Sequence, residues 1–230
     1  MSLVPVHGGL SAPVSRYATW KEAKAIAAEA ASLPRIVVSD GDLSVVHRIA
    51  DGTLSPLTGP MTEAQYNQVL DTWTITSGGR AYAWAIPLAL PVTEEEAGKL
   101  SVGGQAALVD ARGDLVGLLR VDSRFAWDKQ RYVEKTYLTA RLDHPGAAIA
   151  TDDSRSTLVG GELRVLPRAR HAEYADLMLA PSQTRALIAN HQWQAALAFQ
   201  TRNPLHRAHE YALVYGAETL TRQGLYTGVV

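Results

Sequence analysis

The polar segment of residues 200–210 combines side chains that bind anions. It reads Gln200, Thr201, Arg202, Asn203, Pro204, Leu205, His206, Arg207, Ala208, His209 and Glu210. Arg202 can hold an oxyanion through two parallel hydrogen bonds. His206 and His209 stand three residues apart, which places them on one face of a helix. The segment therefore predicts a nucleotide-phosphate and oxyanion site.

Regular elements are predicted on both sides of this segment. Residues 195–199 form an apolar run typical of a strand, and residues 206–222 carry apolar side chains at helical spacing. Gly224 is expected to end that helix, and residues 225–230 form a second strand. Strand, loop, helix and strand make one βαβ unit of a parallel sheet. Its helix would point unpaired N–H groups and a partial positive charge at a bound phosphate.

The remaining polar residues of the segment suit the same role. Gln200 and Asn203 can donate amide N–H groups without adding charge, and Pro204 sets the direction of the chain as it enters the helix. Arg202 alone would normally be a solvated surface charge. The crowding of so many donors at one strand-to-helix turn favours the functional interpretation.

Two other interpretations of these residue types are less favoured. The two histidines beside Glu210 could bind a metal, but the spacing is not His-Glu-x-x-His and no third ligand stands out. Residues 183–185 repeat Gln-Thr-Arg, but neither a proline nor a histidine follows them closely. They are predicted to lie on a helix surface.

The composition restricts the class of protein. The chain has 230 residues, a net charge of -1 and 47% hydrophobic residues, which is typical of a soluble globular protein. A charge so near zero argues against general binding to nucleic acid or a membrane surface. The absence of cysteine excludes disulfides, thiolate zinc sites and a cysteine nucleophile. No signal peptide and no membrane span are recognised, and a cytoplasmic location is expected.

The first two thirds of the chain mix strands with short helices, which predicts an α+β or β-rich domain. Helices are predicted here at 19–31, 44–50, 62–72, from 93 onward and 128–138, and a further helix is predicted at 182–190, in the last third of the chain. Strands are predicted at 35–39, 81–88, 105–110 and 115–121, the last two as a hairpin. Capping boxes such as Thr62 with Gln65 mark several of the helix starts.

A domain boundary is predicted near the proline- and arginine-containing segment 165–172. It divides the chain into domains at 1–168 and 169–230. The chain ends on the second strand of the predicted βαβ unit. Because two parallel strands are not stable by themselves, the second domain is expected to be incomplete.

At this point the motifs resemble those of one family. Gln-Thr-Arg-Asn-Pro-x-His-x-x-His at 200–209, after an Ala-Phe pair, resembles the signature of the ATP sulfurylase (sulfate adenylyltransferase) family. Further similar segments lie upstream, at 54–61, 86–88, 143–146 and 159–161. The resemblance covers nearly the whole chain. Leu54 and Pro60 replace two phenylalanines of the family, and its later Gly-Arg-Asp motif does not occur in these 230 residues.

The resemblance implies a fold and a reaction. The fold is an α+β, PUA-like domain that contains a β-barrel, followed by the first part of an α/β Rossmann-like nucleotidyltransferase domain. The reaction transfers AMP from MgATP to sulfate, or runs in reverse. Mg²⁺ would be bound through the ATP phosphates, with no protein metal site and no organic cofactor. The partners implied are ATP and sulfate, and the full-length protein is expected to be a homo-oligomer.

The resemblance also assigns roles within the segment. Gln200 and Arg202 would hold sulfate, while Asn203, His206 and His209 would contact the ATP phosphates. Thr201 would shape the loop. All six residues are thus candidates for the nucleotide site: Gln200, Thr201, Arg202, Asn203, His206 and His209. Arg202, His206 and His209 are the candidate catalytic residues.

Three alternatives remain open at the level of sequence. One is another adenylyltransferase of the same superfamily with an acceptor other than sulfate. A second is a truncated or degenerate module that serves in binding or regulation. The third, RNA binding through the PUA-like domain, is disfavoured by the near-neutral charge and by the lack of a run of arginine and aromatic residues.

Overall fold

The computed structural model describes residues 4–169 and 172–230. They form two compact units, one from Pro5 to Glu173 and one from Tyr174 to Val230 together with Val4. We call these the N-terminal unit and the C-terminal unit. No helix in the described part of the chain is both long and apolar enough to cross a membrane.

The N-terminal unit alternates helices and strands. Its helices are α1 (Trp20–Ala30), α2 (Asp40–Ala50), α3 (Glu63–Thr72), α4 (Glu94–Lys99), α5 (Lys129–Tyr137) and α6 (Pro145–Asp152). Its strands are β1 (Arg35–Val37), β2 (Thr74–Ser77), β3 (Arg80–Ala83), β4 (Leu90–Val92), β5 (Gln105–Val109), β6 (Leu115–Ala126) and β7 (Thr157–Val165). Capping boxes at Thr19, Thr62 and Thr93 start α1, α3 and α4, as the sequence predicts.

A five-stranded mixed sheet organises this unit, in the order β1-β5-β6-β7-β4. β1 runs parallel to β5, and the other pairs are antiparallel. Gly160 and Gly161 lie where β7 meets neighbouring backbone, and a Cβ at either would collide with the carbonyl of Met61 or Arg120. The Val-Gly-Gly motif is therefore a packing requirement of the sheet.

The core lies between this sheet and helices α2 and α3. Ile49, Leu119 and Leu163 have no exposed surface, and they belong to one cluster that also includes residues of β1 and β4. Burial of so many aliphatic side chains is the main driving force for folding of this unit.

A short 3₁₀ turn, Ala172–Tyr174, overlaps the start of the C-terminal unit. Two helices and two strands follow it: α7 (Pro181–Asn190), β8 (Ala195–Leu197), α8 (Arg207–Arg222) and β9 (Thr227–Val229). β8 and β9 pair in parallel, with Ala196 opposite Gly228. The predicted βαβ arrangement is confirmed. Gly224, at φ 81°, follows the end of α8 as expected.

Several predicted elements of the N-terminal unit were wrong or missed. The strand predicted at 81–88 ends at Ala83, where Trp84 turns to donate its indole N–H to the carbonyl of Ile86. β2 was missed, although Gly78 and Gly79 with positive φ make the tight turn of a β2–β3 hairpin. α6 and β7 were also missed. α2 starts at Asp40 because Ser39 caps it.

Candidate functional site

The loop of residues 198–206 joins the carboxyl end of β8 to the amino end of α8. β8 stops at Leu197, two residues earlier than predicted, so Phe199 belongs to this loop. In parallel α/β sheets, ligands bind at this edge, beyond the strand ends and at the start of the helix. The loop therefore lies where an anion site is expected.

His206 is the N-cap of α8. Its Nδ1 accepts a hydrogen bond from the backbone N–H of Ala208 at 3.3 Å, and its carbonyl oxygen accepts from the N–H groups of His209 and Glu210. An Nδ1 that accepts a hydrogen bond has no proton, so the neutral ring carries its proton on Nε2. The cap thus presents a single N–H donor on the Nε2 side of the ring.

His209 packs directly on His206. Their ring centroids are 3.8 Å apart with an angle of 30° between the planes, and the Phe199 ring lies 4.9 Å from His209 on another side. The Nδ1 atom of His209 is buried and makes no hydrogen bond. The structure therefore brings the two predicted histidines together.

A small turn holds the loop before the helix. The Thr201 hydroxyl accepts from the N–H of Asn203 at 3.1 Å and lies 3.3 Å from the carbonyl of the same residue. Side-chain hydroxyls commonly close turns in this way. Arg202, between the two partners, is exposed at the tip of the turn.

The remaining site residues are less closely joined. Gln200 and Arg202 are exposed, and within the described residues the Arg202 guanidinium makes neither an ion pair nor a hydrogen bond. Over the same residues, no hydrogen bond or ring contact links Gln200 or Arg202 to the imidazole pair. Pro204 lies two residues before the N-cap His206, so it directs the approach to α8 without occupying its first turn.

Two nearby side chains were not singled out from the sequence. Phe199 supports the ring of His209, and Arg207 places a second exposed cation at the first position of α8. The Ala-Phe pair before the motif could have drawn attention to Phe199. Arg207 could have been found because a basic residue is unfavourable at a helix start, where the helix dipole is positive. Glu210 adds a negative charge within the same turn.

A protein-held metal centre was not expected. Among residues 4–169 and 172–230, no group of three or more His, Cys, Asp or Glu side chains is arranged to hold a metal ion. The Gln-Thr-Arg repeat at 183–185 lies in α7, in keeping with a helix surface.

Two family models divide the chain between them. The model described as a PUA-like domain matches residues 4–168, and the model described as ATP-sulfurylase matches residues 175–227. Over more than half of its length the chain belongs to the PUA-like domain family, and its C-terminal part matches the ATP-sulfurylase model. The resemblance found in the motifs is thereby confirmed, as is the PUA-like prediction for the N-terminal region.

Individual relatives in the ATP sulfurylase family extend this result. A sulfate adenylyltransferase of Pyropia yezoensis is 51% identical over 219 residues, which are 95% of this chain and 51% of that protein. One of Desulforamulus reducens is 37% identical, over 95% of this chain and 55% of its own length. The chain thus spans about half the length of the curated relatives it matches.

A solved structure is similar in fold. It is a hexameric APS kinase from Thiobacillus denitrificans, and it superposes with a TM-score of 0.70 at 23% identity. The match covers 94% of this chain and 38% of that chain. At this identity the likeness concerns the fold alone.

Proposed function

We propose that the chain provides the sulfate- and nucleotide-binding loop of a sulfate adenylyltransferase. In this proposal a PUA-like domain at 1–168 precedes the start of a Rossmann-like nucleotidyltransferase domain at 169–230. The observation that carries it is the close pair of rings of His206 and His209 at the start of α8, beside a loop whose exposed Arg202 is unpaired among the described residues. The relatives at up to 51% identity support the same reaction.

Each loop residue has a proposed role. Gln200 and Arg202 hold sulfate, the first through its amide and the second through its planar fork. Asn203, His206 and His209 contact the phosphates of ATP. Thr201 holds the turn through its two contacts with Asn203. We include Gln200, Thr201 and Arg202 in the nucleotide site because they share this loop.

The reaction joins two anions. A sulfate oxygen attacks the α-phosphorus of ATP, the bond from that phosphorus to the bridging oxygen breaks, and the electron pair leaves with pyrophosphate. Sulfate is already an anion, so no general base is needed. Positioning and charge neutralisation can supply the catalysis. Arg202 offsets repulsion at sulfate, and the Nε2–H of His206 donates to the charge that develops on the leaving group.

Mg²⁺ accompanies ATP in this proposal. Hard divalent cations of this kind are commonly held by phosphate oxygens and water, with few protein ligands. The donor set of the loop fits this view, because its amide, guanidinium and imidazole groups suit phosphate oxygens better than Mg²⁺. The bound ion would supply further neutralisation of the phosphates. No organic cofactor is proposed.

The proposed partners are ATP and sulfate, or adenylyl sulfate and pyrophosphate in the reverse direction. Neither a nucleic acid nor a membrane is proposed as a partner. We also propose a homo-oligomer for the full-length protein, a proposal supported by the hexameric state of the structural relative.

Substitution of Arg202 by lysine tests the sulfate assignment. Lysine keeps the charge but loses the planar fork. We therefore expect kcat/KM for sulfate to fall by a factor that corresponds to about 2–3 kcal/mol of transition-state free energy. The affinity for nucleotide should change little. The measurements are steady-state kinetics with each substrate varied, in the form of the protein that shows turnover, and direct nucleotide titration.

Arg185→Lys is a matched control because Arg185 ends the same tripeptide on the surface of α7. It should leave both substrates unaffected. An Arg202→Lys variant with unchanged sulfate dependence would remove Arg202 from the sulfate site. An equal loss for both substrates would assign Arg202 to the phosphates of ATP. Turnover with a mononucleotide acceptor in place of sulfate would favour a different adenylyltransferase.

A further inference from the structure

The N-terminal unit holds a cavity of about 310 Å³ between α2, α5, α6 and the segment of residues 87–91. Four aromatic residues contribute to its wall: Tyr66, Trp127, Tyr132 and Tyr137. Their rings pack on one another, with Trp127 edge-on to Tyr132 at 5.8 Å. Most of the remaining lining is aliphatic, including Val45 and Ala89. A concave, mainly apolar space of this size is typical of a small-molecule site.

Two buried polar atoms of the residues that line the cavity make no hydrogen bond. Tyr66 is 5% exposed, and its hydroxyl is buried without a hydrogen bond. The indole N–H of the half-buried Trp127 is also buried and unpaired. Burial raises the pKa of Tyr66, and the nearby Trp127 N–H offsets part of that rise without reaching hydrogen-bond geometry.

These unpaired atoms define what the cavity can recognise. Buried polar groups are nearly always hydrogen-bonded, because a donor removed from water without a new acceptor costs free energy. The Tyr66 hydroxyl and the Trp127 N–H can both donate. An acceptor oxygen within reach of both donors would satisfy both.

The charged residues at the rim are already paired. The Arg155 guanidinium donates to Asp42 at 2.6 Å and to Asp153 at 2.6 Å. Asp42 also accepts from the hydroxyl of Ser39 at 2.6 Å. The hydrogen bonds to Asp153 raise the pKa of Arg155, so the cation persists at any physiological pH. An occupant that brought its own charge would have to break these pairs, which favours an uncharged molecule.

We propose that this cavity binds a small uncharged molecule of one or two fused rings that carries a single acceptor oxygen. The volume fits this class, because a dry cavity of about 150 Å³ accommodates one benzene ring. The oxygen accepts from the Tyr66 hydroxyl and the Trp127 N–H. Both atoms are buried, so binding includes a rotation of the half-buried Trp127 ring, of the kind common when ligands bind.

Indanone and indane test this proposal as a matched pair, because they share a fused-ring shape and differ by one carbonyl oxygen. The chain is labelled with ¹⁵N at its tryptophan indoles, and Trp127→Phe identifies the Trp127 signal. We expect indanone to bind about tenfold more tightly than indane, as one net hydrogen bond would give, and to shift the Trp127 N–H signal. Equal affinity for the two molecules, or no binding of either, would overturn the proposal.

Variants locate the binding within the cavity. Tyr66→Phe removes only the hydroxyl, so it should reduce indanone affinity towards that of indane and leave indane unchanged. Val45→Phe fills the space and should weaken both, with Ala89→Leu as a second filling variant if the first does not fold. Tyr17→Phe, a tyrosine that does not line the cavity, should change neither. Indanone binding that survives both filled variants, or that is insensitive to Tyr66→Phe, would contradict the assignment.

Discussion

The two units of the chain differ sharply in how they bury apolar side chains. In the N-terminal unit, residues such as Ile49 and Leu163 have no exposed surface. In the C-terminal unit, Gly228 is the only buried residue in the part of the chain that the structure describes. Helix α8 exposes the side chains of Tyr211, Val214 and Tyr215. The unit with a core carries few candidate groups for chemistry, and the unit with the candidate site has little core of its own.

This contrast has a physical basis. Burial of apolar surface stabilises a fold, whereas a site for anions needs exposed donors that bulk water would otherwise satisfy. The loop of residues 198–206 depends on local contacts such as the Thr201 turn and the His206 cap. The prediction that the second domain is incomplete stays a prediction.

The largest expected effect is on stability of the core. Leu119→Ala should destabilise the N-terminal unit by about 2–5 kcal/mol, because it removes a fully buried side chain and leaves a cavity. Val214→Ala, at a residue that is 56% exposed, should change stability by less than about 0.5 kcal/mol. Urea unfolding measures both. Similar losses for the two variants would show that the C-terminal unit has a core that the described residues do not reveal.

The next effect concerns the imidazole pair. His206→Ala and His209→Ala should each lower turnover by about 10²-fold, as when one preorganised donor is lost. His191→Ala is the control, because this histidine of the same unit stacks on Trp193 instead of lying at the start of α8. Steady-state kinetics in the form of the protein that shows turnover provide the test. Rates like those of wild type in both variants would remove the pair from the site.

A smaller effect arises from a histidine of the N-terminal unit. Burial, followed by the charges of Arg168 and Arg48, lowers the pKa of His47 to about 4, and its Nδ1 lies 2.9 Å from the Tyr17 hydroxyl. The unfolded chain then binds the proton more tightly than the folded chain between pH 6.5 and about 4. Stability contributed by the neutral ring is therefore complete above pH 6.5 and is lost as the pH falls through this window.

We expect this loss to be about 1–2 kcal/mol, which is less than the full linkage value because the ring is only half-buried and solvent screens it. Urea unfolding at a series of pH values measures it. His47→Gln should flatten the dependence in this range. A variant with the same pH dependence as wild type would assign the effect to other groups.

The smallest effect concerns a helix cap. Thr62→Ala removes the capping box of α3, in which Thr62 and Gln65 satisfy each other's backbone N–H groups, and should cost about 1 kcal/mol. Thr219→Ala, on the exposed side of α8, is the matched control and should change stability by less than about 0.5 kcal/mol. Thermal unfolding compares the two. A larger loss of stability for Thr219→Ala than for Thr62→Ala would contradict this prediction.

Much of the secondary structure was predictable because its signals are local. The boxes at Thr62 and Thr93 marked helix starts to within a residue, and Gly224 marked the end of α8. β7 was not predicted because its glycines weaken the strand pattern, and only the close approach of Met61 and Arg120 explains them. The strand predicted at 81–88 failed because alternating apolar residues do not reveal where a chain leaves its sheet.

The sequence by itself determined the family motif and the βαβ order around it, and it predicts anion binding by residues 200–209. These follow from residue types and from spacings of a few residues, which act within one turn or one strand end. Only the tertiary structure decided that His206 accepts from Ala208 through Nδ1 and that His209 packs between His206 and Phe199. It also decided that Tyr66 and Trp127, far apart in the chain, would line one cavity. Ring stacking and cavities depend on how distant segments fill space together, and no local pattern encodes that packing.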